Sequence, residues 1–191
     1  MILSRLFFVL FGNLAIHLAH ISPNHGNELD SDDKPYDGGT VKNYFRKFVF
    51  LLILIQTMSF THLAYHSDTP LSTVEIILAI MMVVSFLLRM WSYLALSKFF
   101  TFTLAIKKNH QLVTTGPYRY LVHPSYTGQL LLLFAFVIFT RWYYLVPIMG
   151  FYTYKTLMGR IKIEEEMMRG EFGREYDEYV KARWRVIPFI Y

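Results

Sequence analysis

The sequence contains no cysteine, which excludes disulfides, thiolate nucleophiles and Cys-based zinc sites. None of its 10 glycines falls as G-x-G, so there is no Rossmann fingerprint and no phosphate-cradling loop. Charge is scarce: 17% of the 191 residues, against roughly a quarter in an average soluble domain. In its place stand 54% hydrophobic residues, 18% of all residues being aromatic, and a mean hydropathy of +0.31. That balance excludes a disordered chain and an ordinary soluble globule, and reads as a membrane protein of one compact unit. The net charge of +5 does not lead to nucleic acid as a partner. The basic residues sit in short clusters beside apolar runs, where membrane proteins keep their cytoplasmic charge.

Five apolar stretches organise the chain: Ile2 to His20, Phe48 to His66, Ser72 to Leu96, Thr127 to Phe139 and Trp142 to Leu157. The first three have the ~20 residues that a spanning helix needs. The last two are shorter and meet at Arg141-Trp142-Tyr143-Tyr144, a polar-aromatic corner suited to a membrane interface. They read as a helical hairpin, with Val146-Pro147 marking a kink or start of its second arm. The expected fold is therefore all-α and multi-pass, with about five membrane-embedded helices and a cytosolic cofactor-binding cap. Ile2–His20 has a competing reading as a cleaved signal. Its apolar run is long for one, and no A-x-A follows.

Ser22 to Tyr44 is a solvated loop by composition, and its acidic cluster lacks EF-hand spacing, so no metal is expected there. Lys34, Lys42, Arg46 and Lys47 precede the second span; Lys98, Lys107, Lys108 and Arg119 follow the third; Arg160 to Arg185 follows the fifth. The excess of Lys and Arg places these segments and the carboxyl terminus in the cytosol. Residues 1–97 then form amino-terminal transmembrane helices with a cytosolic loop near 21–45, and 98–191 an integrated catalytic core. His17–His20 and His62–His66 are spaced to share a helix face, and read as polar-tipped rings at span ends rather than as haem or metal ligands.

Chemistry concentrates in three motifs. His110-Gln111-Leu112-Val113-Thr114-Thr115-Gly116-Pro117-Tyr118 combines a turn with aromatic and hydrogen-bonding groups. His123-Pro124-Ser125-Tyr126-Thr127-Gly128 starts a helix whose first amides can meet an anionic group. Arg160 and Glu164 stand four apart on one helical face at the polar end of the hairpin. Singly, each has a bland counterpart: a loop, a helix cap, a surface ion pair worth under ~1 kcal/mol. Their order, followed by Phe172-Gly173-Arg174-Glu175-Tyr176 and Pro188-Phe189-Ile190-Tyr191, is not bland.

From His110 to Tyr191 the chain resembles the isoprenylcysteine carboxyl methyltransferases, integral membrane enzymes of the endoplasmic reticulum. The resemblance rests on H-x-L-V-T-x-G-x-Y, H-P-S-Y-x-G, R-x-x-x-E-E and the F-G-x-E-Y run, in that order. It implies a protein-S-isoprenylcysteine O-methyltransferase. The methyl donor would be S-adenosylmethionine, with S-adenosylhomocysteine as product, and the acceptor the carboxyl-terminal prenylcysteine of proteins in the membrane. Carried over, His110, Gln111, Leu112, Val113, Tyr118, His123, Pro124, Ser125, Tyr126 and Glu164 bind the donor, and Arg160 binds substrate and is catalytic. The family commonly has Arg before His-Pro; here Val122 stands in that place.

A carboxylate acceptor suits these residues. Its unperturbed pKa of about 3.5 leaves it ionised at neutral pH, so no general base is required. An arginine can orient it through two parallel hydrogen bonds. Two rival classes share parts of the pattern: a phospholipid N-methyltransferase and, further off, an NADPH-dependent sterol reductase. An amine acceptor needs deprotonation and is not served by a buried arginine. The compact chain, the Leu112–Tyr118 run and Glu164-Glu165 favour methyl transfer over reduction.

Overall fold

The computed structural model describes residues 2–18, 34–35, 53, 57, 59–60, 70–100, 105–106 and 110–189. Most of the expected second span, most of the Ser22–Tyr44 loop, the side chains of both histidine pairs and the last two residues lie outside the described residues. Helix α1 is Ile2–Leu18, α2 Thr73–Leu96, α3 Pro124–Phe139, α4 Val146–Phe172 and α5 Arg174–Lys181. Beyond these helices, β1 (Lys34–Pro35) pairs antiparallel with β2 (Ala105–Ile106). The described chain is helical, as its sequence predicts.

Helix α2 opens on a reciprocal cap: Glu75 N donates to Ser72 Oγ at 3.2 Å, and Ser72 N donates to the Glu75 carboxylate at 2.8 Å. Both otherwise orphaned donors of the first turn are satisfied. Its 24 residues rise roughly 36 Å at 1.5 Å each, enough for a bilayer core of about 30 Å. Among the described residues it is the one helix long and apolar enough to cross a membrane. Its amphipathicity is inverted. Val74, Ile77, Ile80, Val84, Leu87, Trp91 and Leu94 are exposed, whereas Glu75, Ser85, Arg89 and Ser92 are buried. Water does not favour such a surface, but lipid does.

Helix α3 packs antiparallel against α2, and the contact is close because position 128 is glycine. A Cβ there would meet the Ser85 carbonyl oxygen at 2.7 Å and Arg89 Cβ at 3.1 Å. Small residues serve membrane helices in this way, since dispersion must replace the hydrophobic drive. Gly128→Ala is expected to push α2 and α3 apart and destabilise the fold by about 1–3 kcal/mol, the usual cost of overpacking. A lower melting temperature in detergent would show it.

The main core joins α1, α2, α3 and the head of α4 through Val9, Ala15, Met82, Leu132, Phe136 and Met149, among others. Helix α3 begins at Pro124, as the His-Pro motif predicts and three residues before its apolar stretch, because proline's fixed φ and missing N–H suit the first helical turn. Pro147 likewise lies in the first turn of α4 and starts it rather than kinking it. The corner between them turns on Arg141, which has φ 61° and reaches Glu75 at 3.4 Å. This ties the corner to the head of α2, at the end of the helices remote from Ser125. Helix α4 does not stop near Leu157. It continues to Phe172, since no proline interrupts it, and ends at Gly173 with φ 54°. A second small core lies beyond the apolar layer, where Val122, Tyr176, Tyr179 and Val180 pack with Leu112, Met168 and Phe172.

Candidate functional site

Three elements converge at one end of the bundle: the tail of α2, the head of α3 and the later half of α4. His123 is the N-cap residue of α3, yet its side chain makes no capping hydrogen bond. Its backbone N–H donates to the Arg185 carbonyl at 2.9 Å, beside a Val122-to-Trp184 bond also of 2.9 Å. A carboxyl-terminal strap, residues 184–186, is thereby laid parallel to Leu121 and carries the Thr127 hydroxyl on the Val186 carbonyl. Freed from capping, the imidazole turns to α4. Nε2 lies 3.4 Å from Glu165 Oε1, and Nδ1 lies 3.8 Å from Glu164 Oε2.

Glu164 gathers the sequence motifs together. Its Oε1 accepts from the Tyr126 hydroxyl and from Arg160 Nε at 2.9 Å. The Tyr126 ring lies 5.6 Å from that of His123. Position 164 thus joins α3 to the Arg160 turn of α4, and charge-assisted bonds of this kind are the stronger ones.

The His110 motif lies against the end of α4, about two turns beyond Glu164. Its ring stacks on Phe99 at 4.7 Å and meets Phe172 edge-on at 5.8 Å. Burial lowers its pKa, with Glu171 opposing, so the imidazole is mostly neutral at pH 7. Nδ1 is buried and has no hydrogen-bond partner among the described residues. Gln111 is exposed, Val113 half-buried, and Leu112 packs into the small core. Gly116, at φ 59°, enters a left-handed conformation that other residues resist and turns the chain into a 3-10 turn, Gly116–Arg119. Tyr118 in that turn is buried; its carbonyl accepts from the Tyr179 hydroxyl and from Arg183 Nε, both at 3.0 Å. The structure thus brings His123, Tyr126, Arg160 and Glu164 into one cluster with Pro124 and Ser125 at its edge. His110 to Val113 and Tyr118 flank it without a direct bond to it among those described.

Four residues of this region make contacts that the sequence reading does not assign. Arg89 of α2 is buried and donates from Nη1 to the Ser125 carbonyl (2.9 Å) and hydroxyl (3.0 Å), with its guanidinium 4.9 Å from the Tyr93 ring. A lone arginine inside an apolar run is itself a signal, since intramembrane charge is costly without a role. Glu165, Arg169 and Arg185 form the second group: Glu165 is 5% exposed and bonds Arg185 at 3.0 Å and Arg169 at 2.9 Å. Val122 is buried in the small core, while Arg119 is exposed with its guanidinium 5.9 Å from the Tyr120 ring.

Burial on its own would raise the Glu165 pKa, but the His123 hydrogen bond and the Arg185 guanidinium outweigh it and hold the carboxyl at about 2. A depressed carboxyl stabilises the fold above its unfolded pKa of 4.5, and that contribution disappears as pH falls toward the folded value. The melting-temperature difference between the native chain and Glu165→Gln is therefore expected to be full above pH 4.5 and to shrink between pH 4.5 and about 2. A difference independent of pH would contradict the ion pairing.

Fold and cluster define a class: a helical protein with a bilayer-length helix, whose charged and aromatic groups gather at one end of its apolar packing. Residues 77–170 match the sequence model of the isoprenylcysteine carboxyl methyltransferase family. Among similar proteins, the protein-S-isoprenylcysteine O-methyltransferase of Dictyostelium discoideum is 34% identical over 89 residues, covering 44% of this chain and 36% of that protein. A probable enzyme of the same name from Oryza sativa subsp. indica is 28% identical over 117 residues, 58% of this chain and 59% of its own. The Arabidopsis thaliana protein-S-isoprenylcysteine O-methyltransferase B is 28% identical over 116 residues, 58% and 57%. The chain spans between about a third and six-tenths of the length of these relatives.

Proposed function

We propose that the chain methylates the carboxyl-terminal carboxylate of prenylated proteins, with S-adenosylmethionine as donor. The observation that carries this reading is Glu164, a carboxylate bonded to Arg160 and Tyr126 and facing His123, at the polar end of apolar helices. The donor set fits S-adenosylmethionine. A neutral His110, stacked on Phe99 with Phe172 edge-on and with a buried Nδ1 that has no partner among the described residues, suits a flat heteroaromatic base. The Glu164 carboxylate suits an ammonium group. When bound, the donor supplies a cationic methyl on a good leaving group.

Arg160 orients the acceptor carboxylate, whose ionised form at neutral pH makes deprotonation unnecessary. Alignment of an anion with a cationic methyl, away from water, supplies the rate; ideal intramolecular cases gain ~7–11 kcal/mol. His110, Gln111, Leu112, Val113, Tyr118, His123, Pro124, Ser125 and Tyr126 form the donor's walls, and Glu164 holds its charge. The lipid enters sideways from the bilayer, because exposing a prenyl chain to water costs about 0.8 kcal/mol per CH₂. This reading includes about five membrane-embedded helices, residues 1–97 as the spanning part, residues 98–191 as the catalytic core, and residence in the endoplasmic reticulum with the site facing the cytosol. Membranes holding the chain, given radiolabelled S-adenosylmethionine and a farnesylcysteine analogue, are expected to yield base-labile label on the analogue. Base-stable label on lipid amines would instead point to N-methyl transfer.

A further inference from the structure

Glu165 stands next to the donor-site carboxylate in sequence but faces elsewhere, and its partners come from the head of α3, from the strap and from its own helix. Oε1 meets His123 Nε2 at 3.4 Å and Arg185 Nε at 3.0 Å; Oε2 accepts from Arg169 Nη2 at 2.9 Å. Arg169 is in turn bonded to Asp177 of α5 at 3.0 Å. One buried carboxylate thus joins α4, the strap and the head of α3, and reaches α5 through Arg169.

We propose that Glu165 is a positioning residue for the donor site, acting through the imidazole of His123. This inference rests on the functional reading above. An imidazole has two distinct nitrogens, and the partner of one decides what the other presents. With Nε2 directed to Glu165, Nδ1 is left facing Glu164 across 3.8 Å. The imidazole also flanks the ring of Tyr126, whose hydroxyl donates to Glu164. A ring released from Glu165 loses its fixed tilt, and both routes to Glu164 loosen with it. A purely architectural clasp needs only the two arginines. The third partner, from the His-Pro motif, is what links the clasp to donor affinity. Outer partners that fix a histidine in this manner are worth 10–100-fold where they have been measured at metal sites.

The test is calorimetry of S-adenosylhomocysteine binding by the full chain in detergent, alongside donor KM and kcat. Glu165→Gln keeps the volume and an acceptor oxygen while removing the charge. It is expected to raise Kd and donor KM by about 10-fold, the loss of one hydrogen bond to a charged group, with kcat at saturating donor little changed. In a His123→Ala background the same substitution is expected to add no further loss, because its route is gone. Arg185→Gln, at a half-exposed position, removes one Glu165 partner more gently and is expected to raise Kd about 3-fold, with the same dependence on His123. It carries the test if Glu165→Gln does not fold. An unchanged Kd in the folded variants, or losses that simply add to that of His123→Ala, would overturn the inference while leaving the function intact. A native chain that binds no S-adenosylhomocysteine would overturn the function and this inference with it.

Discussion

Arg160→Lys is expected to cut methyl transfer by at least ~100-fold, the scale seen when one preorganised donor to a reacting oxyanion is lost, while S-adenosylhomocysteine binds nearly as before. Lysine keeps the charge but not the planar fork, so it holds a carboxylate as a point charge without fixing its plane. In the structure Arg160 is anchored through Nε to Glu164 at 2.9 Å, which sets the direction of the guanidinium before any acceptor arrives. A lysine ammonium has no such split between anchoring edge and presenting edge. Single-turnover methylation of a farnesylcysteine analogue, with donor affinity measured separately, tests the assignment. Near-normal turnover in Arg160→Lys would sink it.

Glu164→Ala is expected to be worse, because it acts on both substrates. Losing a charge-assisted contact to the donor costs about 1.5–3 kcal/mol, or roughly 10- to 150-fold in Kd. The same change strips Tyr126 and Arg160 of their shared acceptor, so turnover at saturating donor is expected to fall as well. Glu164→Gln keeps an acceptor for both and is expected to recover part of the turnover but little of the donor affinity. Equal recovery of both would mean that Glu164 acts by shape alone. These two variants, measured together, separate the roles of neighbouring turns on one helix.

The contrast between Glu164 and Glu165 marks where sequence reading stops. Spacing alone pairs Arg160 with Glu164, since positions four apart share a face, and the structure has that bond. His123-Pro124 is legible as a helix start because proline's constraint is local. Helix α2 is legible from its run of apolar residues. The Glu165 contacts are not, because Arg185 lies 20 residues away and His123 lies 42, and no periodicity encodes which distant charge meets which. Arg89 was the readable signal left unused: a single cation inside an apolar helix demands a partner, and Ser125 provides it. The apolar stretch ends near Leu157 while α4 runs on to Phe172, as the reading of Arg160 and Glu164 on one helical face requires.

The strap formed by residues 184–186 has a consequence for how the protein is made. The helices that pack Gly128 against Ser85 can assemble in the membrane while synthesis is still under way. The His-Pro turn cannot, for its backbone N–H groups are fixed by the Trp184 and Arg185 carbonyls, which emerge only after α5. A nascent chain halted before Trp184 would therefore hold a folded helical layer with its His-Pro turn unset. Under the proposed function, donor capture begins only after the polar end has been threaded back over the helices already in place.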